Sequence, residues 1–353
     1  MLRESCDILP SNVAKRALIT GITGQDGSYL AEFLLARDYE VHGLVRRIAL
    51  HDPERHLSHL VHIRDRLALH AGALESSASV LRVVDGVRPD ECYHLAAHSF
   101  VNTSFEDDLA TLGSDINGTH CLLAALKQSA PACRFYFAGT SEMFGHADES
   151  PQRETSRFLP RSTYGISKLA GYHLTRNYRE RFGLHASAGI LYNHESPRRG
   201  HEFVTRRIAA GVAQILAGRQ DRLALGNLDA RRDWGHARDY VRAMWLMLQQ
   251  ETPDDYVVAT GESHSVREFA QLAFAGTGLD HREHVYIDSE LCRRAEDQPL
   301  VGDPRKARER LGWHHEVGFA DLVREMVTAE CDALGLTLAR ARSPVEQEAE
   351  KSV

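Results

Sequence analysis

The sequence predicts an α/β fold in which a doubly wound parallel sheet is followed by a smaller, interrupted lobe. Three observations predict it: short apolar runs alternate with helical segments in the first half, a glycine-rich turn follows the first apolar run, and the alternation loosens beyond Asn193. Strands that alternate with helices form βαβ units around a buried parallel sheet. With 353 residues, the chain is long enough for one large unit and a second lobe.

Periodicity places the individual elements in chain order. The predicted strands are Ala17–Thr20, Glu40–Val45, Leu67–His70, Glu91–Ala96, Arg134–Ala138, Ala186–Tyr192 and, in the second half, Asp255–Ala259. The predicted helices are Tyr29–Ala36, Ala78–Val84, Gly118–Lys127, Ser167–Arg181, Arg206–Leu216, Val241–Gln249, Val266–Phe274 and Phe319–Leu334.

Composition limits the classes of partner. The net charge is -7 and the basic residues are dispersed, which argues against nucleic acid as the main partner. No apolar run approaches the roughly 18 residues of a membrane span and no signal peptide is visible, so we expect a cytoplasmic protein with no membrane partner. The six cysteines form no C-x-x-C pair and the 20 histidines no H-E-x-x-H, which predicts reduced thiols and no metal site.

The glycine-rich turn lies directly after the first predicted strand. Gly21, Gly24 and Gly27 are spaced G-x-x-G-x-x-G. This spacing supplies a tight turn and lets the backbone approach a pyrophosphate, while the following helix offers N–H groups and its positive end to the phosphates. Because the motif follows a strand and opens a helix, it indicates a dinucleotide site on a Rossmann-type sheet.

The end of the second predicted strand indicates which dinucleotide binds. This strand is followed by Arg46 and Arg47. NAD-binding proteins usually have an acidic residue here for the ribose 2′-hydroxyl, whereas arginine suits a 2′-phosphate. The sequence therefore predicts NADP, and two solvated surface arginines are the alternative interpretation.

Two segments carry candidate chemistry. Gly139–Glu142 follows the fifth predicted strand, at the sheet edge where doubly wound folds bind ligands. Tyr164 and Lys168 are four residues apart and share one helix face. An ammonium beside a phenol lowers the pKa of the tyrosine, so we expect Tyr164 to act as a base toward a substrate hydroxyl.

Glu142 separates two types of reaction. Oxidation or epimerisation at a hydroxyl needs the tyrosine, the lysine and a hydroxyl, but no additional carboxylate. Elimination of water also needs a base for a carbon-bound proton and an acid for the leaving hydroxyl, and a carboxylate can remove that proton. Glu142 therefore favours elimination, and a surface acid at a helix start is the alternative.

The sequence resembles the extended short-chain dehydrogenase/reductase family and, within it, the GDP-mannose 4,6-dehydratases. The stretches that carry the resemblance are Ala17–Leu35, Gly139–Gly145, Tyr192–Gly200, Leu225–Val241 and Gly302–Trp313. Among them, NHESPRRG (Asn193–Gly200) and RDWGHA (Arg232–Ala237) are highly specific for that dehydratase and its near relatives.

The resemblance implies roles for individual residues. The implied catalytic residues are Thr140, Glu142, Tyr164 and Lys168. The implied cofactor-binding residues are Gly21, Thr23, Gly24, Gln25, Asp26, Gly27, Arg46, Leu74, Leu95, Ala96, Ala97, Ser99, Tyr164, Lys168, His194 and Arg199. The implied substrate-binding residues are Ser99, Glu142, Asn193, Arg198, Arg207, Leu225, Gly226, Asn227, Arg232, Arg293 and Glu296. No metal ligand is implied.

The implied activity is that of a hydro-lyase with NADP. It would convert GDP-mannose, or a close GDP-sugar such as GDP-manno-heptose, to the 4-keto-6-deoxy sugar by C4 oxidation, loss of water across C5 and C6, and hydride return to C6. A nucleotide-sugar epimerase and a 4,6-dehydratase for another nucleotide sugar are the alternatives. A non-catalytic nucleotide sensor is disfavoured because the four catalytic residues are intact.

The sequence also predicts a domain organisation and an assembly. We expect an NADP-binding Rossmann domain over residues 15–192 that also receives roughly 233–262, and a nucleotide-sugar-binding lobe over 193–337. Residues 1–14 and 338–353 are expected to be flexible ends. A homodimer is expected through helices near 107–127 and 164–182, and a tetramer is left open.

Several positions depart from the family pattern. The loop Ile48–Glu54 replaces a Ser/Thr-rich segment, Ala73 replaces an acid expected near adenine, and Arg207 stands for a lysine. Phe100 replaces a histidine, and Leu291–Glu296 lacks two aromatic residues and a proline. These changes leave open the exact sugar, the base and the preference for NADP over NAD.

Overall fold

A computed structural model describes residues 14–97, 108–292 and 300–337. The predictions for Ser99, Arg293 and Glu296, and the departure at Phe100, therefore lie outside the described residues. The two expected flexible ends lie outside them as well, apart from position 14.

The strands form one large sheet and three small ones. In chain order they are β1 (Arg16–Thr20), β2 (Glu40–Val45), β3 (Leu67–Ala71), β4 (Glu91–His94), β5 (Arg134–Thr140), β6 (Ala186–Leu191), β7 (Asn193–Glu195), β8 (Leu223–Leu225), β9 (Arg231–Arg232), β10 (Trp234–His236), β11 (Asp255–Val258), β12 (His264–Ser265) and β13 (Val285–Ile287). The large sheet has seven parallel strands in the order β11-β6-β5-β4-β1-β2-β3. The predicted fold class is confirmed. The strand order reverses between β1 and β4, and such a switch point is where doubly wound sheets bind ligands.

The described residues form twelve α-helices, and several of these cover the two faces of the large sheet. They are α1 (Gln25–Leu35), α2 (Arg47–His51), α3 (Pro53–His56), α4 (Ser77–Val87), α5 (Asp108–Ser129), α6 (Thr163–Phe182), α7 (Val204–Leu216), α8 (Ala237–Gln249), α9 (Val266–Ala275), α10 (His281–His284), α11 (Arg305–Leu311) and α12 (Phe319–Ala333). On one face α1 packs against α8, and on the other α4, α5 and α6 pack side by side. Burial on both faces explains why β6 reads as a mostly apolar run.

Helix α6 is fixed at both ends by local chemistry. The Ser162 hydroxyl accepts the Gly165 N–H at 3.0 Å, which caps the first turn. Gly183 ends the helix with φ +69°, a conformation that glycine adopts without strain. The helix therefore begins at Thr163, four residues before the predicted start at Ser167, and Tyr164 lies in its first turn.

The second lobe has a core of its own. Helices α7, α9 and α12 pack together around Trp234, Phe269 and Met326. The short strands form the pairs β7–β10, β8–β13 and β9–β12. Strand β11 and helix α8, although late in the chain, join the large sheet and its helical layer.

Asp233 connects the lobe to the edge of the large sheet. Its fully buried carboxylate accepts the Thr260 N–H at 2.9 Å and the Thr260 hydroxyl at 2.7 Å. It also accepts the Gly261 N–H at 3.0 Å and the Gly302 N–H at 3.3 Å. One carboxylate thus satisfies four donors from two separate chain segments.

We expect Asp233→Asn to lower the free energy of unfolding by about 2–4 kcal/mol, because the new NH₂ group cannot accept and leaves buried donors unpaired. Urea denaturation of both proteins measures the difference. Asp85→Asn is the matched control, since Asp85 forms a half-exposed ion pair with Arg88 and should change stability by less than about 0.5 kcal/mol. Equal losses in the two variants would contradict this role for Asp233.

No helix within residues 14–97, 108–292 and 300–337 is long and apolar enough to cross a membrane.

Candidate active site

A cleft of about 1010 Å³ opens where the sheet meets the second lobe. Its walls come from the β1–α1 turn, the segments after β4 and β5, the start of α6, strand β7 and the start of α7. The predicted site residues that line it are Gly21, Thr23, Gly24, Gln25, Asp26, Gly27, Arg46, Leu74, Leu95, Ala96, Ala97, Thr140, Glu142, Tyr164, Lys168, Asn193, His194, Arg199, Arg207, Gly226, Asn227 and Arg232. Most predicted positions thus converge, although they are dispersed along the sequence.

The β1–α1 turn can be built only with glycine at two points. Gly21 has φ +76°, and a Cβ there would lie 2.8 Å from the Ala96 nitrogen. A Cβ on Gly27 would lie 2.2 Å from the Gly21 oxygen. Gly24 is the N-cap residue of α1 and has no side chain that could accept a hydrogen bond from the first turn. The turn therefore presents backbone N–H groups to the cleft.

The catalytic segments approach each other closely. Thr140 ends β5, and its hydroxyl accepts the Glu142 N–H at 3.3 Å, which holds the short turn that carries Glu142. A Cβ on Gly165 would lie 2.7 Å from the Glu142 oxygen, so glycine lets the first turn of α6 press against this segment. The contact brings Tyr164 beside Thr140 and Glu142.

Lys168 is buried one turn beyond Tyr164. Its ammonium donates to the Ala138 carbonyl at 2.8 Å and lies 5.9 Å from the centroid of the Tyr164 ring. Burial lowers the pKa of Lys168, and the charge of Asp115 opposes this effect. The bond to the Ala138 carbonyl thus fixes the Lys168 ammonium near the Tyr164 ring.

The expected fall in the pKa of Tyr164 does not occur with the protein groups alone. Burial raises the pKa of its phenol, and the negative charge of Asp115 raises it further, while a hydrogen bond with Thr140 acts in the opposite direction. For the protein groups alone, the prediction from the Tyr-Lys spacing was wrong, because burial and the charge of Asp115 outweigh the hydrogen bond with Thr140.

Asp115 is a site residue that the sequence analysis missed. It lies on α5, is buried, lines the cleft and accepts the Ser167 hydroxyl at 3.0 Å. Its charge acts on both Tyr164 and Lys168. No local motif marks it, because only the packing of α5 on α6 brings it to the site.

Asp26 and His194 meet across the cleft. His194 Nε2 lies 2.7 Å from Asp26 Oδ2, and His194 Nδ1 lies 2.7 Å from the Tyr192 carbonyl oxygen. Burial favours the neutral form of each group, but their mutual attraction outweighs it. The pKa of Asp26 is therefore lowered and that of His194 raised.

Two predicted substrate residues do not line the cleft. The side chain of Leu225 is buried in the core of the second lobe. The Arg198 guanidinium points to α1, where it donates to the Ser28 hydroxyl at 3.0 Å, pairs with Glu32 at 2.5 Å and lies 4.0 Å from the Tyr29 ring centroid. Their substrate contacts remain predictions that this arrangement does not support.

Further cleft residues were not predicted individually, although Glu195, Asp229 and Trp234 lie within the stretches that carry the family resemblance. Besides Asp115, they include Glu75, Glu195, Glu202, Asp229, Trp234, Glu290 and Cys292. Among the described residues, no group of three or more His, Cys, Asp or Glu side chains is arranged to hold a metal ion.

A family model described as GDP-mannose 4,6 dehydratase matches residues 18–326. This chain belongs to the GDP-mannose 4,6-dehydratase family. Its similarity to proteins named for that activity extends over nearly all of both chains. "GDP-mannose 4,6 dehydratase 1" of Arabidopsis thaliana is 50% identical over 327 residues, which is 90% of this chain and 90% of that one. The Homo sapiens protein is 47% identical over 351 residues, covering 92% and 93%.

Solved structures share the dehydratase fold. A dTDP-glucose 4,6-dehydratase from Streptomyces venezuelae, with NAD and TYD bound, superposes with a TM-score of 0.78 at 25% identity, covering 91% of this chain and 98% of its own. A UDP-glucose 4-epimerase from Thermotoga maritima gives 0.78 at 22% identity, covering 91% and 100%. Dehydratases and epimerases thus share one fold, which does not separate the two activities. Family membership does: the protein is a hydro-lyase of the GDP-mannose 4,6-dehydratase type.

Proposed function

We propose that the protein is an NADP-dependent dehydratase that converts GDP-mannose, or a close GDP-sugar, to its 4-keto-6-deoxy product. The observation that carries the proposal is the convergence of Thr140, Glu142, Tyr164 and Lys168 in the cleft beside the glycine turn. An epimerase would have no use for Glu142 in this position, because its chemistry ends at C4.

The residues of the cleft fit a dinucleotide. The close contacts at Gly21 and Gly27 keep the turn tight against its own backbone and the segment after β4, and the start of α1 supplies N–H donors for a phosphate. Arg46 follows β2 and lines the cleft, where it would pair with a 2′-phosphate. The bound nicotinamide would accept a hydride from C4 and return it to C6.

Tyr164 would accept the proton of the C4 hydroxyl. Its phenol must first lose its own proton, although burial and the charge of Asp115 raise its pKa. The hydrogen bond with Thr140, the fixed ammonium of Lys168 and the positive charge of an oxidised nicotinamide all favour the phenolate. We infer that the pair becomes active only when the cofactor is bound in its oxidised form.

Glu142 would then take the C5 proton, which a neighbouring ketone has made acidic. The same carboxyl group, once protonated, would supply a proton to the leaving C6 hydroxyl, with Thr140 positioning that hydroxyl. The 3.3 Å bond between the Thr140 hydroxyl and the Glu142 N–H keeps these two side chains on one turn. Asn193, Arg207, Gly226, Asn227 and Arg232 would bind the nucleotide sugar, with the arginines facing its diphosphate.

Mass spectrometry of reaction products tests this function. The purified protein is incubated with GDP-mannose, GDP-manno-heptose and other nucleotide sugars without added reductant. We expect one substrate to lose one water. Altered configuration without loss of mass, detected by NMR in the same samples, would instead establish an epimerase, and turnover of a sugar on another base would correct the nucleotide.

The choice of NADP depends on Arg46. We expect Arg46→Ser to weaken NADP⁺ binding about 10- to 100-fold and to leave NAD⁺ binding nearly unchanged, because a charge-assisted bond to the 2′-phosphate contributes about 1.5–3 kcal/mol. Isothermal titration of both cofactors measures the two affinities. Arg47→Ser is the matched control, since Arg47 is exposed but does not line the cleft. Equal weakening of both cofactors would contradict a 2′-phosphate contact.

We further propose a homodimer formed by α5 and α6. These helices pack together and expose Leu109 (84%), Ile166 (49%) and Phe182 (44%). Two such helices from each subunit would make a four-helix contact that buries these side chains. Sedimentation at micromolar concentration should show a dimer, and a monomer would contradict the proposal. A tetramer remains an alternative outcome of the same experiment.

We propose the cytoplasm as the location. Cys92, Cys121, Cys133, Cys292 and Cys331 all have free thiols, as expected in a reducing compartment. Fractionation of cells that produce the protein tests this.

A further inference from the structure

The glycine turn contains an acid at the point where a cofactor diphosphate would bind. Asp26 lies in the first turn of α1 and lines the cleft. The N-terminal end of a helix attracts anions, so this carboxylate occupies a position that is equally favourable for a phosphate. Unless its charge is balanced, Asp26 repels the ligand that the turn is built to hold.

The hydrogen bonds of His194 show which group balances that charge. The Tyr192 carbonyl oxygen, 2.7 Å from Nδ1, can only accept, so Nδ1 must carry a hydrogen. Asp26 Oδ2, 2.7 Å from Nε2, also accepts when it is ionised, so Nε2 carries a hydrogen as well. A ring with two N–H groups is an imidazolium.

Neighbouring groups favour the ionised form of Asp26. Gln25 Nε2 donates to Asp26 Oδ1 at 3.0 Å and also to the His194 carbonyl at 3.1 Å. The positive charge of Arg199 acts on Asp26 from the segment after β7. Arg199 also forms an ion pair with Glu195 at 3.0 Å, so its single positive charge cannot neutralise both Glu195 and Asp26. The second positive charge of this cluster is His194.

The polar groups on the other elements packed against His194 either form pairs with other residues or interact with the charge of Asp26. From α8, the Tyr240 ring stacks on the imidazole with centroids 4.5 Å apart. On the neighbouring strand β10, His236 instead pairs with Glu325 at 3.3 Å. Two further groups, Lys168 on α6 and Tyr136 on β5, interact with the charge of Asp26 from behind the turn.

We propose that His194 is a positioning residue: as an imidazolium it neutralises Asp26 and ties the glycine turn to β7, which leaves the first turn of α1 open to the cofactor diphosphate. This inference rests on the proposed NADP-dependent function. It differs from a direct contact between His194 and the cofactor, since both ring nitrogens already bond within the protein. The pKa of His194 is raised, so the effect is fully present at low pH and is lost as the pH rises through that pKa.

Cofactor binding to three variants separates the two roles. We expect His194→Gln to weaken NADP⁺ binding at pH 7.5 at least about tenfold, because it leaves the Asp26 charge unbalanced. We expect the double variant His194→Gln/Asp26→Asn to recover most of the loss, because it removes the charge that His194 would balance. The exposed His314→Gln is the matched control. A double variant as weak as His194→Gln would establish a direct contact and overturn the proposal.

Nitrogen-15 NMR of histidine-labelled protein tests the charge without relying on the folding of a His194 variant. The His194 signals are assigned by their shift in Asp26→Asn. We expect both ring nitrogens to be protonated at pH 7.5 in the wild type and one in Asp26→Asn, and a neutral ring in the wild type would overturn the proposal. A wild-type protein that binds neither NADP⁺ nor NAD⁺ would refute the proposed function. If the His194 ring were nevertheless doubly protonated, the inferred charge on His194 would stand, and only its effect on cofactor binding would have failed.

Discussion

Replacement of Glu142 with glutamine should stop the loss of water while leaving oxidation at C4 possible. The amide keeps the size of the side chain but cannot take a proton from C5 or deliver one to the C6 hydroxyl. The loss of one general acid–base group typically slows turnover by about 10²–10⁴-fold. Because Tyr164 and Lys168 are intact, hydride transfer to the cofactor should still occur once per site.

Rapid mixing of this variant with substrate distinguishes the two steps. Absorbance at the wavelength of reduced nicotinamide should rise and then persist, because no C5–C6 double bond forms to take the hydride back. Glu180→Gln is the control, since Glu180 forms an exposed ion pair with Arg176 on α6 and should leave turnover unchanged. Turnover of Glu142→Gln within about threefold of the wild type would remove Glu142 from the reaction.

The sheet could be predicted because its burial is visible in the sequence. Strands such as β6, Ala186–Leu191, are buried along their whole length and therefore appear as mostly apolar runs. The glycine turn was predictable because one of its requirements is local: a Cβ on Gly27 would lie 2.2 Å from the Gly21 oxygen, six residues earlier. The signal of each feature therefore lies within a short segment of the sequence.

Other elements carry too little periodicity to be recognised. Strands β7, β9 and β10 have two or three residues each, too few to show the alternation over about four to eight residues that indicates a strand. Helix α5 begins at Asp108, ten residues before its predicted start at Gly118, since the intervening residues include a glycine and several polar side chains.

The electrostatics of the site depend on contacts between distant parts of the chain. Asp26 and His194 are 168 positions apart, and Asp115 and Ser167 are 52 apart. Each pair forms only after α1, α5, α6 and β7 have packed around the cleft. The sequence therefore predicts which residues lie near the reaction, but the protonation of Tyr164 depends on neighbours that no motif identifies.

Replacement of Tyr164 with phenylalanine should block the reaction at its first step. The phenol is the only group in our proposal that takes the C4 proton, so we expect kcat to fall by about 10³-fold or more. Tyr178→Phe is the matched control, because Tyr178 lies on the same helix and is equally buried but faces His120 and Phe182 outside the cleft.

The two variants should differ in the state of the cofactor. Mixed with substrate, Tyr164→Phe should show no absorbance of reduced nicotinamide, whereas Glu142→Gln should show it without forming product. Since burial raises the pKa of Tyr164, wild-type kcat should increase with pH until the phenolate predominates, and that ascending limb should disappear in Tyr164→Phe. Reduced cofactor in Tyr164→Phe would mean that another group takes the C4 proton. Asp115 would then be the first residue to substitute, because it is the buried carboxylate whose charge acts on Tyr164 most strongly.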